Sequence, residues 1–167
     1  MVCRFAGREE FGPRALGNRS ILFSASRPGL PQRVNKALGR DGYMPFAPAM
    51  RDVATGFAMG GAPPGVDFGH MTIATDTSGE FQSECPSAVH VDHTTRPQVV
   101  EQATAPDFYH LLTEHRGLGG SRALINTSFN LHGEPIVHTP EEAISTFKRS
   151  GLDVLQLGDI EVRRFGS

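Results

Sequence analysis

The chain has 167 residues, 38% hydrophobic and 20% charged, the balance of one ordinary globular domain and neither a disordered tract nor a membrane protein. Its net charge of -2 conceals an asymmetry: residues 1–51 hold eight arginines and Lys36 against Glu9, Glu10 and Asp41, a formal +6, and the remainder carries -8. Of 16 basic residues only Lys36 and Lys148 are lysine, and because the arginine fork grips phosphate or carboxylate bidentately, this bias favours a polyanionic small ligand over a solvated basic face or a nucleic-acid patch.

Val2 to Phe5 reads as a short strand, followed by a loop from Gly7 to Gly17, and Ser20 to Phe23 as a second strand. From Pro31 to Leu38 the positions Val34, Ala37 and Leu38 have helical spacing, with Gly39 as the stop. Pro45-Phe46-Ala47-Pro48 must be extended or turned, since each proline restricts its predecessor. Asp52 to Met59 suits a short helix, and Gly60 to Gly65 a surface loop. His70 to Ala74 and Ala88 to Asp92 read as strands, and Pro106 to His115 as a helix with Phe108, Leu111, Leu112 and His115 on one stripe. Ala123 to Asn126 is expected as a buried strand. Thr139, Pro140 and Glu142 then spell a capping box that opens a helix with Ala143, Ile144 and Phe147 as its apolar face. Val154 to Leu157 and Ile160 to Arg163 close the chain as two strands around Gly158-Asp159. Interleaved strands and helices, with some successive strands lacking a crossover helix, predict a mixed α/β sheet.

Cys3 and Cys85 are far apart and form no Cys-x-x-Cys, so buried free thiols are expected rather than a disulfide framework or a zinc site. Apolar runs are short and no basic-then-apolar leader opens the chain, which predicts a cytoplasmic protein with no membrane partner.

Four segments carry polar groups that packing does not require. In Gly7 to Ser20 the glycines permit close backbone approach, while Arg14 and Arg19 offer phosphate forks. No Gly-Lys-Ser/Thr follows, so this is not a Walker A loop. Arg40 to Pro48 is stiffened by two prolines, and Lys36 lies just upstream. In His90 to Gln98, His90 and Asp92 would share one strand face and suggest a metal, but two ligands do not make a site. A strand end presenting Thr94, Thr95 and Arg96 to a ligand is favoured there. Asn126 to Pro135 follows a buried strand, the usual place for ligand loops in α/β sheets. Ser128 and Asn130 alternate across Phe129, so hydroxyl and amide can meet one ligand while the ring anchors the loop. No Ser-His-Asp, Cys-His or paired-carboxylate arrangement is evident.

Gly7-Arg8-Glu9-Glu10-Phe11-Gly12-Pro13-Arg14-Ala15-Leu16-Gly17-Asn18-Arg19-Ser20-Ile21 resembles the opening of the C-terminal domain of the antibiotic and nodulation-factor O-carbamoyltransferases. The likeness runs on through Pro45 to Pro48, His90 to Asp92, Thr94 to Gln98, Asn126 to Asn130 and Gly133 to Val137, covering nearly the whole chain. It implies a single domain over 1–167 with the YrdC-like fold: a twisted mixed α/β sheet flanked by helices, with a basic concave face. It also implies activation of carbamoyl phosphate by ATP, with Mg2+, to carbamoyl-adenylate. A separate N-terminal, iron-binding, ASKHA-like transfer domain, in cis or in trans, would then carbamoylate an acceptor hydroxyl; nothing resembling that domain precedes Met1. No DNA partner is implied.

By the same resemblance Arg14, Arg40, Arg96 and Lys36 are the catalytic residues, offsetting phosphate repulsion. Arg19, Ser20, Thr95, Asn126, Ser128 and Asn130 would bind substrate or nucleotide, and Glu134 would hold metal or ribose. The sequence departs from the family at Leu38, where a lysine two before Arg40 is expected, at Met44 and at His93. A helix sets Lys36 and Leu38 roughly 200° apart, so Lys36 could substitute only if the backbone left the helix there. The alternatives are a threonylcarbamoyl-adenylate synthase-like enzyme and a non-catalytic nucleotide- or RNA-binding module of the same fold.

Overall fold

The computed structural model describes residues 1–60 and 65–164. In chain order it contains β1 (Val2–Phe5), β2 (Arg19–Ser24), α1 (Leu30–Ala37), β3 (Ala47–Arg51), α2 (Thr55–Ala58), β4 (Thr75–Asp76), α3 (Gly79–Glu84), β5 (Thr94–Thr95), β6 (Gln98–Val100), α4 (Pro106–Gly117), β7 (Ala123–Ser128), α5 (Pro140–Ser150), β8 (Val154–Leu157) and β9 (Ile160–Arg163). Two compact units share these elements. The first comprises Met1–Phe23, Leu30–Met44 and the chain from Asn126 onward; the second comprises Ser24–Gly29 and Pro45–Ile125.

In the first unit β1 is the central strand. It pairs antiparallel with β2, Cys3 opposite Ile21, and parallel with β8, Cys3 opposite Leu155. All three side chains are fully buried, so one row across the pleat forms the heart of this core. β9 folds back on β8 antiparallel, and β7 from Asn126 lies beside β2. Burial pushes the Cys3 thiol up to about 12, and the same effect in the second unit raises Cys85 to about 11. Both cysteines are buried free thiols, as expected.

Helix α5 packs against β1 and β8 through Ala143 and Phe147. Its start is the capping box read from the sequence: Thr139 Oγ1 accepts from Glu142 N at 3.3 Å, and Glu142 Oε2 accepts from Thr139 N at 3.3 Å. Gly151, at φ 70°, ends the helix in the left-handed region. Thr139→Ala removes the acceptor for one orphan helix N–H and is expected to cost about 1 kcal/mol. A lowered urea midpoint, restored by Thr139→Ser, checks it.

In the second unit β3 pairs parallel with β6, Ala49 opposite Gln98, β7 up to Ile125 lies beside β3, and α4 packs on β3. β4 and β5 form a separate antiparallel pair. The Phe57 and Phe81 rings meet edge to face at 5.5 Å. The Arg122 guanidinium lies 3.5 Å from the centroid of the Phe57 ring and bonds Glu84 Oε2 through Nη2 at 2.7 Å.

Mixed parallel and antiparallel pairing with flanking helices bears out the α/β expectation, but two expected strands are absent. His70 and Met71 are turn and bend, with Met71 at φ 55°, and Thr72 to Ala74 are irregular. Just upstream, Asp67 Oδ1 accepts from Gly69 N at 2.7 Å and closes an Asx turn. Ala88 to Asp92 is likewise not a strand: Pro86–Ala88 is a 3₁₀ turn, and Asp92 Oδ1 takes the Thr94 N–H at 3.1 Å. Helix α3 went unread because its 6 residues are too few to show a period. Ser78 starts it by accepting from Phe81 N at 3.0 Å. Most of the expected Gly60 to Gly65 loop lies outside the described residues.

Candidate anion-binding site

Helix α1 delivers Arg40. Gly39, at φ 68°, turns the chain at the helix end, Gly39 N bonds Lys36 O at 3.3 Å, and Arg40 N bonds Asn35 O at 2.8 Å. This is the Schellman closure, and it leaves Arg40 as the first side chain after the Gly39 turn. Leu38 is buried beneath, while its carbonyl accepts from His132 N at 2.9 Å and ties the loop after β7 to the same helix end.

That loop presents the acceptors. Arg40 Nη1 donates to Thr127 Oγ1 at 2.8 Å; its Nη2 donates to Ser128 Oγ at 3.2 Å, Ser128 O at 3.3 Å and Asn130 Oδ1 at 3.1 Å. Ser128 Oγ donates to Asn130 Oδ1 at 2.6 Å, while Asn130 Nδ2 donates to Glu134 O at 2.8 Å, so the amide is oriented from both ends. Phe129, fully buried between them, anchors the turn.

Arg40 is half-buried, and burial lowers its pKa from the ordinary arginine value. No carboxylate pairs with it among the described residues. A partly desolvated cation surrounded by neutral oxygens keeps its full charge for an incoming anion. Its Nε makes no hydrogen bond among the described residues and remains a donor for one.

The Gly7 to Gly17 loop is rigid at its base. Glu10 Oε1 accepts from Leu16 N at 2.8 Å and Asn18 N at 2.5 Å, and Arg4 Nη1 donates to Gly17 O at 2.7 Å. Asn126 Nδ2 donates to Ala15 O at 3.1 Å, which brings the residue after Arg14 to the end of β7 that carries Thr127 and Ser128. Arg14 itself is exposed, and its guanidinium makes no hydrogen bond or ion pair among the described residues.

Several residues expected at the site have other work in this structure. Arg19 is buried; its Nη1 donates to Ala6 O at 2.8 Å and Asn18 O at 3.1 Å, and its guanidinium lies 3.7 Å from the Phe5 ring centroid. It therefore shapes the loop rather than facing a ligand. Ser20 and Asn126 are buried in their strands. Thr95, fully buried, donates its hydroxyl to Ala88 O at 2.8 Å. Glu134 is paired instead with Arg149, which meets both its oxygens, Nη2 to Oε2 at 2.8 Å, and holds its carboxyl below the usual range. Lys36 stays inside α1 and is exposed, so it does not stand in for Leu38. Arg96 is half-buried in the second unit, and its charge helps to lower the basicity of His90.

Thr127 and Glu10 were not singled out from sequence. Thr127 stood in the same polar run as Ser128, but no spacing rule joins it to an arginine 87 residues away.

A mixed α/β fold here presents an uncompensated arginine over a hydroxyl- and amide-rich loop, an arrangement chemically suited to an anion. The chain belongs to the carbamoyltransferase C-terminus family, whose profile matches residues 1–164. It is 38% identical to protein MJ1058 of Methanocaldococcus jannaschii, the match covering 98% of this chain and 27% of that protein. It is 35% identical to nodulation protein NolO of Bradyrhizobium diazoefficiens, covering 95% of this chain and 29% of that protein. The chain thus spans under a third of the length of these relatives. Its fold is like that of full-length HypF, solved in the phosphate- and nucleotide-bound form, with TM-score 0.65 at 22% identity over 86% of this chain and 22% of that one. That likeness bears out the YrdC-like fold.

Proposed function

We propose that this chain binds the phosphates of MgATP and carbamoyl phosphate and makes carbamoyl-adenylate, which a separate transfer domain consumes in carbamoylating an acceptor hydroxyl. The observation that carries this reading is Arg40: a half-buried cation with no carboxylate partner among the described residues, set on Thr127, Ser128 and Asn130. Family membership supplies the chemistry such a site would serve.

Two anionic reactants repel, so positioned cations lower the barrier by offsetting that repulsion and by stabilising charge on the transferring group. Arg40 and Arg14 are the groups suited to this in the first unit. Carbamoyl phosphate loses its phosphoryl group to water, and the resulting carbamate oxygen displaces pyrophosphate from ATP. Ser128 and Asn130 orient Arg40 and offer further polar contacts to phosphate. Magnesium enters as the counter-ion of ATP; the described residues hold no group of three or more His, Cys, Asp or Glu side chains fit for a resident metal.

Formation of the adenylate is reversible, which provides the test. The purified chain is expected to exchange labelled pyrophosphate into ATP only when carbamoyl phosphate is present, and to carbamoylate no acceptor alone. Buried Leu38 and exposed Lys36 favour one rival, a non-catalytic nucleotide-binding module. Tight MgATP binding without exchange selects that rival, and acceptor carbamoylation by the chain alone overturns the division of labour.

A further inference from the structure

Three side chains of the second unit form a directed hydrogen-bond chain that the site above does not use. Asp92 Oδ1 accepts the Thr94 N–H at 3.1 Å and the Thr94 hydroxyl at 2.7 Å. A hydroxyl has one proton. Towards His90 Nδ1, 3.0 Å away, Thr94 Oγ1 can therefore only accept, so Nδ1 carries the ring proton. The lone pair of the neutral ring is then on Nε2, to which no protein group hydrogen-bonds among the described residues.

The surrounding turn is well fixed. His90 N donates to Thr94 O at 2.8 Å, His93 N donates to His90 O at 3.0 Å, and His93 takes the left-handed conformation at φ 63° that the turn requires. The buried Thr95 pins the turn from below through Ala88 O. Burial and the charge of Arg96 lower the basicity of His90, outweighing the opposite pull of Asp92, which favours the neutral ring. A neutral acceptor locked in one tautomer, within reach of the Arg96 charge, suits a ligand with an anionic group beside an N–H or O–H donor. Carbamoyl phosphate has that pairing in its amide and phosphate, and ATP has it in its ribose hydroxyls and phosphates.

The geometry points to His90 Nε2 as a ligand-contacting acceptor that recognises a hydrogen-bond donor beside a phosphate, with Thr94 and Asp92 as positioning residues. This assignment rests on the proposed function for the identity of the ligand, though not for the tautomer. Nitrogen-15 NMR of histidine-labelled chain at pH 7, with the His90 signals identified by their loss in His90→Gln, tests both parts. The expected spectrum has a protonated Nδ1 and a pyridine-type Nε2, and Nε2 shifts upfield on adding carbamoyl phosphate or MgATP. The ligand that moves it names the source, and acetyl phosphate, which has no donor, leaves it in place. Thr94→Val mixes the tautomers, and Thr94→Ser restores the single one. If carbamoyl phosphate is the source, His90→Ala raises its Kd roughly 3- to 10-fold, the effect of one neutral hydrogen bond. A native Nε2–H tautomer, or an Nε2 signal unmoved by saturating carbamoyl phosphate and MgATP, overturns the assignment. If the signal moves but no pyrophosphate exchange occurs, the activation reading fails while the His90 contact stands.

Discussion

Arg40→Ala is expected to weaken MgATP binding roughly 10- to 150-fold, because a hydrogen bond to a charged group contributes about 1.5–3 kcal/mol. The magnitude follows from the surroundings of this arginine. Its partners Thr127, Ser128 and Asn130 are neutral, so they orient the guanidinium without cancelling its charge. No carboxylate is left stranded when Arg40 is removed, and the half-buried oxygens it leaves can be hydrated; the loss should therefore appear in ligand affinity rather than in folding. Arg40→Lys keeps the charge but replaces a planar fork with a single ammonium, so it should recover only part of the affinity. Calorimetric titration with MgATP, alongside unfolding curves for each variant, separates the two effects. Unchanged affinity in Arg40→Ala would remove Arg40 from the site.

Phe129→Ala is expected to cost about 3–5 kcal/mol of stability, the usual loss when a buried aromatic is truncated and its cavity only partly collapses. Such a loss is a large share of the roughly 5–15 kcal/mol that holds a domain folded. Phe129 is fully buried. The backbone on either side is pinned, Phe129 N to Arg19 O at 2.9 Å and Val137 N to Phe129 O at 3.1 Å, so the loop cannot easily close over the void. Ser128 and Asn130 flank the ring, so this substitution should also loosen the Arg40 cluster. Urea unfolding reads the stability, and MgATP affinity measured below the transition reads the cluster. Phe129→Leu, which keeps much of the volume, should lose less of both. A cost under about 1 kcal/mol would show that the turn is held without its anchor.

The helices and strands with strong local signals were legible in the chain. The α5 capping box, the Gly39 stop of α1, strand β1 and the β8–β9 hairpin around Gly158-Asp159 all fall where their residues predict. Their causes lie within a few residues of one another, in a cap, a glycine or an alternation, so sequence alone suffices. Ser128, Phe129 and Asn130 were legible for the same reason.

Two segments beside a turn-forming carboxylate differ from their strand reading. His70 to Ala74 and Ala88 to Asp92 have apolar alternation, yet neither is a strand; Asp92 bonds the Thr94 N–H and turns the chain there, and Asp67 closes an Asx turn just before His70. Residue type cannot show whether such a carboxylate faces its own backbone or a ligand.

What the sequence determined by itself is the fold class and the two buried thiols, because these depend on composition and short-range pattern. Only the tertiary structure sorted the arginines and their neighbours. It buried Arg19 among backbone carbonyls against Phe5, locked Glu134 to Arg149, kept Lys36 on an exposed helix face, and left Arg40 charged above Thr127 and Ser128. An arginine becomes scaffold or site according to which acceptors the folded chain brings within about 3 Å of it, and those acceptors come from residues distant in sequence.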